Sequence, residues 1–223
     1  MVIGFDLDMT LVDSADAIVD SVAHTCAAYG VGIDETAVRA TVGLPLDQVF
    51  PDLIPGVPYA EALEVYRARY LSHGLAMQTL LPGARESLEA VVAAGCRVVV
   101  ISAKKDTHVA AVLDEVGLDH LVHEVVGERF GDTKADALRE RAATVYVGDH
   151  VGDVRGALGA GAVAVAVATG PTSAADLRAA GGDPVLDDLT AFLPWWERWF
   201  ADPTPRTTTS AVPAAVEQTE ADA

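Results

Sequence analysis

Thirty-three acidic residues against 15 basic ones give this 223-residue chain a formal charge of −18. Such a surface repels nucleic acid and anionic membranes, which argues against both as partners. It also offers an anionic small molecule no long-range attraction, so binding one requires a cation and basic groups placed locally. With 51% apolar residues the chain can bury a substantial core, yet no apolar run approaches the length of a membrane span.

The chain opens on Val2-Ile3-Gly4-Phe5, which has the length and β-branched character of a buried strand, and the run stops at Asp6 and Asp8. Two carboxylates at the end of a buried strand are costly unless something uses or neutralises them. The usual neutraliser is a hard cation such as Mg²⁺, which favours carboxylate oxygens together with a phosphate-bearing substrate. Residues i and i+2 of an extended segment share a face, so both acids can address one substrate. With Asp6 already in the first strand, no cleavable signal peptide is expected and the protein is expected to be cytoplasmic.

From residue 15 the pattern turns helical. Segments 15–29, ending at Gly30, then 35–42, 46–50 and 59–72 read as helices, with a connector carrying Pro51, Pro55 and Pro58 before the last. No convincing strand falls between residues 15 and 78, so 15–79 is read as a helical insertion. After Pro82 helix and strand alternate: helices 84–94, 107–116, 134–141 and 154–160, strands 96–102, 122–126, 144–148 and 162–167. Strands this apolar belong to a parallel sheet covered on both faces. The expected fold is therefore a doubly wound α/β core of residues 1–14 and 80–200, with ligands at the carboxyl ends of its strands. Segment 189–200 reads as a final helix whose Trp195, Trp196 and Trp199 pack into a core rather than form a ligand box. The Thr-, Pro- and Ala-rich stretch 201–223 reads as a disordered tail. Cys26 and Cys96 read as small buried hydrophobes rather than a disulfide.

The pattern D-x-D-x-T at Asp6, Asp8 and Thr10 is weak alone. It gains force from three further strand or helix ends in order: Ser102 closes one strand, Lys134 opens a helix, and strand 144–148 runs directly into Asp149 and Asp153. All three lysines of the chain, Lys104, Lys105 and Lys134, fall in or beside these positions; the first two read as surface charge, with an approach of Lys104 to a phosphate left open. His150 reads as a loop residue, and the remaining histidines show no metal-like grouping.

At these residues the sequence resembles the haloacid dehalogenase superfamily, and within it the phosphoglycolate phosphatase-like branch. DLDMTLVDS, ISAKK, Lys134 and GDHVGD are similar to its four motifs, and the resemblance covers about residues 1–190. It implies a Rossmann-like core with a helical cap after the first strand, and a Mg²⁺-dependent phosphomonoester hydrolase for a small phosphorylated metabolite, phosphoglycolate being the first guess. By that pattern Asp6 is the nucleophile and Asp8 the general acid and base. The metal is held by Asp6, the Asp8 backbone carbonyl and Asp149, while Asp153 stands behind them and helps position Lys134. Thr10, Ser102 and Lys134 form the phosphate-binding set, with Thr10 ordering its turn through hydroxyl-to-backbone bonds.

Three positions depart from the pattern. Met9 replaces a usual Gly, which is expected to narrow the pocket entrance; Ala103 stands where Asn is common and Ala135 where Pro is frequent. A dehalogenase would have no use for Asp8, a phosphonatase would need a lysine that residues 15–80 lack, and a sugar-phosphate mutase would carry Arg and Ser in the loop held here by Val42–Leu46. A non-catalytic binding or regulatory protein keeping the fold, or a different phosphotransfer activity of the superfamily, is the alternative. Gly43–Leu46 with Arg39, Arg67 or Arg69 are the candidates for reading the leaving group. Nothing in the sequence indicates an oligomeric state.

Overall fold

The computed structural model describes residues 1–202, so the expected tail from 203 onward lies outside the described residues. In chain order the elements are β1 (Val2–Phe5), β2 (Val12–Asp13), α1 (Ala15–Ala28), α2 (Glu35–Arg39), α3 (Leu46–Leu53), α4 (Tyr59–Arg69), β3 (Thr79–Leu80), α5 (Ala84–Ala93), β4 (Arg97–Ile101), α6 (Asp106–Glu115), β5 (Glu124–Val126), α7 (Asp132–Glu140), β6 (Ala143–Gly148), α8 (Val151–Ala160), β7 (Val163–Val167), α9 (Ala174–Ala179), β8 (Val185–Leu186) and α10 (Phe192–Ala201). Six strands form a parallel sheet in the order β5-β4-β1-β6-β7-β8. The chain fills one side of β1 with β4 and β5, then returns to its other side with β6. That reversal places the end of β1 in the crevice where such sheets bind ligands.

Alternation along the strands sends side chains into two cores. Phe5, Val100 and Val147 face one cluster, which takes in Leu88 of α5, Val109 and Leu113 of α6, and Phe192, Trp195 and Trp196 of α10. Phe5 and Phe192 meet at 5.6 Å between ring centroids, so the tryptophan-rich helix is core. Ile101, Tyr146 and Ala166 face the other cluster with Leu138 of α7, Val154 of α8 and Leu177 of α9. Both cysteines are buried and free. No helix among the described residues is long and apolar enough to cross a membrane.

Residues 15–78 contain no strand, but the segments entering and leaving them do. β2 and β3 pair antiparallel, Val12 opposite Leu80 and Asp13 opposite Thr79, and tie the two connections of the helical insertion together. Within the insertion α1 packs on α4, and the rings of Phe50, Tyr66 and Tyr70 contact in sequence at 6.0 and 5.9 Å. Arg69 grips Asp20 of α1 with two hydrogen bonds, at 2.7 and 2.9 Å. After α4 the backbone widens into a π-turn over Tyr70–Gly74, a geometry that often marks functional segments. Two elements of the core, α9 and β8, fall where the sequence showed no pattern.

Candidate active site

Asp6 and Asp8 follow β1 directly, and the backbone N–H of Asp6 still donates to Val147 O of the neighbouring strand at 2.8 Å. Asp149 follows β6 in the same way, and Asp153 sits on the first turn of α8. Helices α7 and α8 pack side by side, which brings Lys134, on the first turn of α7, under the strand ends. Its Nζ lies 3.0 Å from Asp6 Oδ1 and 2.5 Å from Asp153 Oδ1, with only 3% of the side chain exposed. Asp153 uses its second oxygen to accept the His150 N–H at 3.0 Å, and His150 Nδ1 accepts the Gly152 N–H at 3.0 Å. His150 is therefore the N-cap of α8 rather than an idle loop residue.

Thr10 differs from expectation. Its hydroxyl donates to Asp149 Oδ1 at 2.9 Å, joining the two strand ends instead of bonding its own turn. Asp149 Oδ2 is buried and has no hydrogen-bond partner. A Cβ on Gly170 would stand 1.9 Å from that oxygen, and one on Gly148 2.4 Å from the Asp153 side chain, so both acids are seated against bare backbone. Gly170 carried no motif signal; its role follows from tertiary approach alone.

Lys104 is not surface charge. Its side chain is 11% exposed, its Nζ lies 2.6 Å from Asp8 Oδ1 and 4.7 Å from the centre of the Tyr70 ring. Ser102 is buried at the end of β4, and its Oγ accepts the Lys104 N–H at 3.2 Å. Lys105, by contrast, is exposed. The three carboxylates whose oxygens come within 4.8 Å of one another are Asp6, Asp149 and Asp153; the Asp8 side chain is turned to Lys104.

Burial dominates the electrostatics. It pushes the Asp6 carboxyl up to about 7; Lys134 pulls against it, while Asp153 and Asp8 add to the rise. Burial also lifts Asp149 well above the carboxylate range, helped by Asp153 and Asp6. For Lys134 burial works downward, but Asp153 and Asp6 outweigh it and hold the ammonium well above its ordinary value. Four acids face two ammonium groups here, a formal excess of two negative charges in a site where Asp6, Asp8, Asp149 and Asp153 are all buried.

Over Asp8 opens a cavity of about 490 Å³ between the helical insertion and the core. Its walls include Val42–Leu46, Tyr66 and Arg67 from the insertion and Lys104, His108 and Phe130 from the core. Of the three arginines singled out, Arg67 lines this cavity and pairs with Glu128 across it at 3.1 Å. Arg69 is held by Asp20, and Arg39 by Asp16 at 2.6 Å. Met9 does not line the cavity over Asp8; it packs with Ala15 and Val42 and takes a left-handed φ of 57°.

The sequence profile of the haloacid dehalogenase-like hydrolases matches residues 3–167, and the chain belongs to that family. A phosphoglycolate phosphatase of Rhodospirillum rubrum is 31% identical over 219 residues, covering 86% of this chain and 88% of that protein. Tyrosine-protein kinase PtkA of Mycobacterium tuberculosis is 31% identical over 178 residues, 74% of this chain; the chain spans only 61% of the kinase's length. A haloacid dehalogenase-like hydrolase from Streptococcus pneumoniae shares the fold, with a TM-score of 0.78 and 24% identity over 87% of this chain and 97% of that one.

Proposed function

We propose that the protein is a Mg²⁺-dependent phosphomonoester hydrolase working through an aspartyl-phosphate. The observation that carries this reading is the buried excess of carboxyl groups over ammonium groups around Asp6, with Asp149 Oδ2 left without a partner beside it. An all-oxygen carboxylate set with an orphaned buried oxygen fits a hard divalent cation. Asp6, Asp149 and the Asp8 backbone carbonyl would hold it, and it would supply charge neutralisation for the phosphoryl oxygens.

Asp6 attacks the phosphorus with a carboxylate oxygen, the bond from phosphorus to the leaving oxygen breaks, and Asp8 gives that oxygen its proton. Water then attacks the phosphorus, Asp8 takes a proton from it, and the bond to Asp6 breaks to release phosphate. Lys134 keeps Asp6 ionised and offers positive charge to the phosphoryl group; Ser102 and neighbouring backbone N–H groups hold its oxygens. The helical insertion, residues 15–79, acts as a cap over the leaving group, and residues 1–14 with 80–200 act as the core.

The substrate is a small phosphorylated metabolite. Phosphoglycolate is the first candidate, supported by the likeness to the phosphatase of that name over most of both chains. Transfer of the phosphoryl group to a hydroxyl other than water is the second reading, supported by the likeness to a protein named tyrosine-protein kinase.

Phosphate release from p-nitrophenyl phosphate and a panel including phosphoglycolate, with Mg²⁺ or EDTA, tests both readings. Metal-dependent turnover that disappears in Asp6→Asn is expected. Absence of turnover from every member of the panel overturns the hydrolase reading, and p-nitrophenol release that appears on adding an acceptor hydroxyl without matching release of phosphate favours the second.

A further inference from the structure

Asp8 has to carry a proton to and from the reacting oxygen, yet its carboxylate does not point freely into the cavity. Lys104 holds Oδ1 at 2.6 Å, and both side chains are 11% exposed. The lysine is itself fixed. Its backbone N–H donates to Ser102 Oγ at 3.2 Å and its carbonyl accepts the Glu128 N–H at 2.7 Å. A Cβ on Gly127 would lie 2.7 Å from that carbonyl, so a second loop is pressed directly against it. The ammonium also rests 4.7 Å from the centre of the Tyr70 ring, and that ring stacks with Tyr66 at 5.9 Å and with His108 at 6.4 Å. Lys104 therefore stands between the proton carrier on the core and an aromatic column that begins in the helical insertion.

From this geometry we infer that Lys104 is the positioning residue for Asp8: it fixes the carboxylate through Oδ1 and leaves proton exchange to Oδ2. The inference rests on the phosphomonoesterase reading above. The reason for two cations, rather than one shared cation, lies in the separation of their partners. Lys134 serves Asp6 and Asp153, Lys104 serves Asp8, and no hydrogen bond among the described residues joins the two sets. Loosening Asp8 should thus cost departure of a leaving group that needs a proton and spare departure of one that does not. Hydrolysis of the aspartyl-phosphate also uses Asp8 but is common to all substrates, so the comparison is made in kcat/KM, which reports only the steps through that departure.

Leaving groups separate these. An alkoxide must be protonated as it departs, whereas p-nitrophenolate leaves without help. In Lys104→Met, kcat/KM for an alkyl monoester such as phosphoglycolate should fall roughly 10- to 100-fold, within the usual worth of positioned proton transfer. For p-nitrophenyl phosphate the fall in kcat/KM should be about threefold or less. Lys104→Arg, which keeps a cation able to reach a carboxylate, should recover most of the loss.

An equal loss with both substrates, or a loss that follows the thermal midpoint, makes Lys104 merely structural and overturns the inference. A matching rise in KM for both substrates, with weaker inhibition by inorganic phosphate, makes it a phosphate ligand and also overturns it. Wild-type protein without turnover on either substrate overturns the hydrolase reading itself, and this inference with it.

Discussion

Replacing Lys134 by methionine removes one charge from the most buried ionic cluster of the protein while keeping much of the side-chain volume. At an effective dielectric constant of about 20, an ammonium at 2.5–3.0 Å is attracted to each carboxylate by about 5–7 kcal/mol. Dehydration of the buried ions cancels a large part of that attraction. The expected net loss of stability is the ~3–5 kcal/mol typical when one partner of a buried pair is removed. The two acids left behind lose their counter-charge. Asp6 already stands at about 7 with Lys134 pulling it down, so in the metal-free protein losing the lysine moves it higher still. The phosphoryl group also loses a preorganised cation, and turnover should drop on the order of 10²–10³. Denaturant titration and steady-state kinetics at pH 7 measure the two effects separately. Adding Asp153→Asn to Lys134→Met should cost less than the sum of the single changes, because the second removes the charge the first strands. Turnover within threefold of wild type, or a stability loss below about 1 kcal/mol, would refute this account of the lysine.

Three other perturbations follow from the same geometry. Gly170→Ala puts a methyl group 1.9 Å from Asp149 Oδ2; displacing that carboxylate by about 1 Å should cost about 100-fold in turnover and raise the Mg²⁺ concentration required, and an unchanged metal titration would contradict it. On the proposed mechanism, protons and Mg²⁺ compete for Asp6. Because burial raises its folded value to about 7, the metal-free protein should lose stability as pH rises from the ordinary carboxylate value through 7, and the thermal shift produced by Mg²⁺ should be small at pH 5.5 and grow above pH 7; a shift independent of pH would sink the argument. Asp20 behaves oppositely, since the Arg69 hydrogen bonds hold its carboxyl below the ordinary value. The stability lost in Arg69→Ala should be present at neutral pH and vanish as pH falls through that lowered value, which thermal melts down the acid range would show.

The strands that position the site were legible because burial on both faces leaves an unmistakable pattern: Arg97–Ile101 reads RVVVI and Val163–Val167 reads VAVAV. The shorter strands were not. β2, β3 and β8 have two residues each, too few for any periodicity to show, and they exist only because a partner strand is brought alongside. The same holds for α9, whose six residues dock beside β8 on the second core. Helix ends were read to within a few residues, but the π-turn over Tyr70–Gly74 was read as ordinary helix continuing from residue 59. Its residues are compatible with either, and the widening follows from how the insertion rejoins the core.

For the site, the acids were easier to find than their counter-charges. An aspartate at a strand end is visible because carboxylates interrupt an apolar run, and Asp6, Asp8 and Asp149 all announce themselves so. A lysine is at home on almost any surface, and its sequence position says little about where four flexible carbons carry its charge. Lys104 and Lys105 are neighbours of identical chemistry. The first extends its backbone N–H to Ser102 and turns its ammonium inward to Asp8; the second takes the N-cap position of α6 and stays in water. Only the fold of the loop after β4 separates them, and that loop is shaped by Gly127 pressing against it from the strand next door. A Cβ there would meet the Asp106 backbone N at 2.1 Å. The geometry that delivers a cation to Asp8 thus depends on a residue with no side chain, some twenty positions away in sequence.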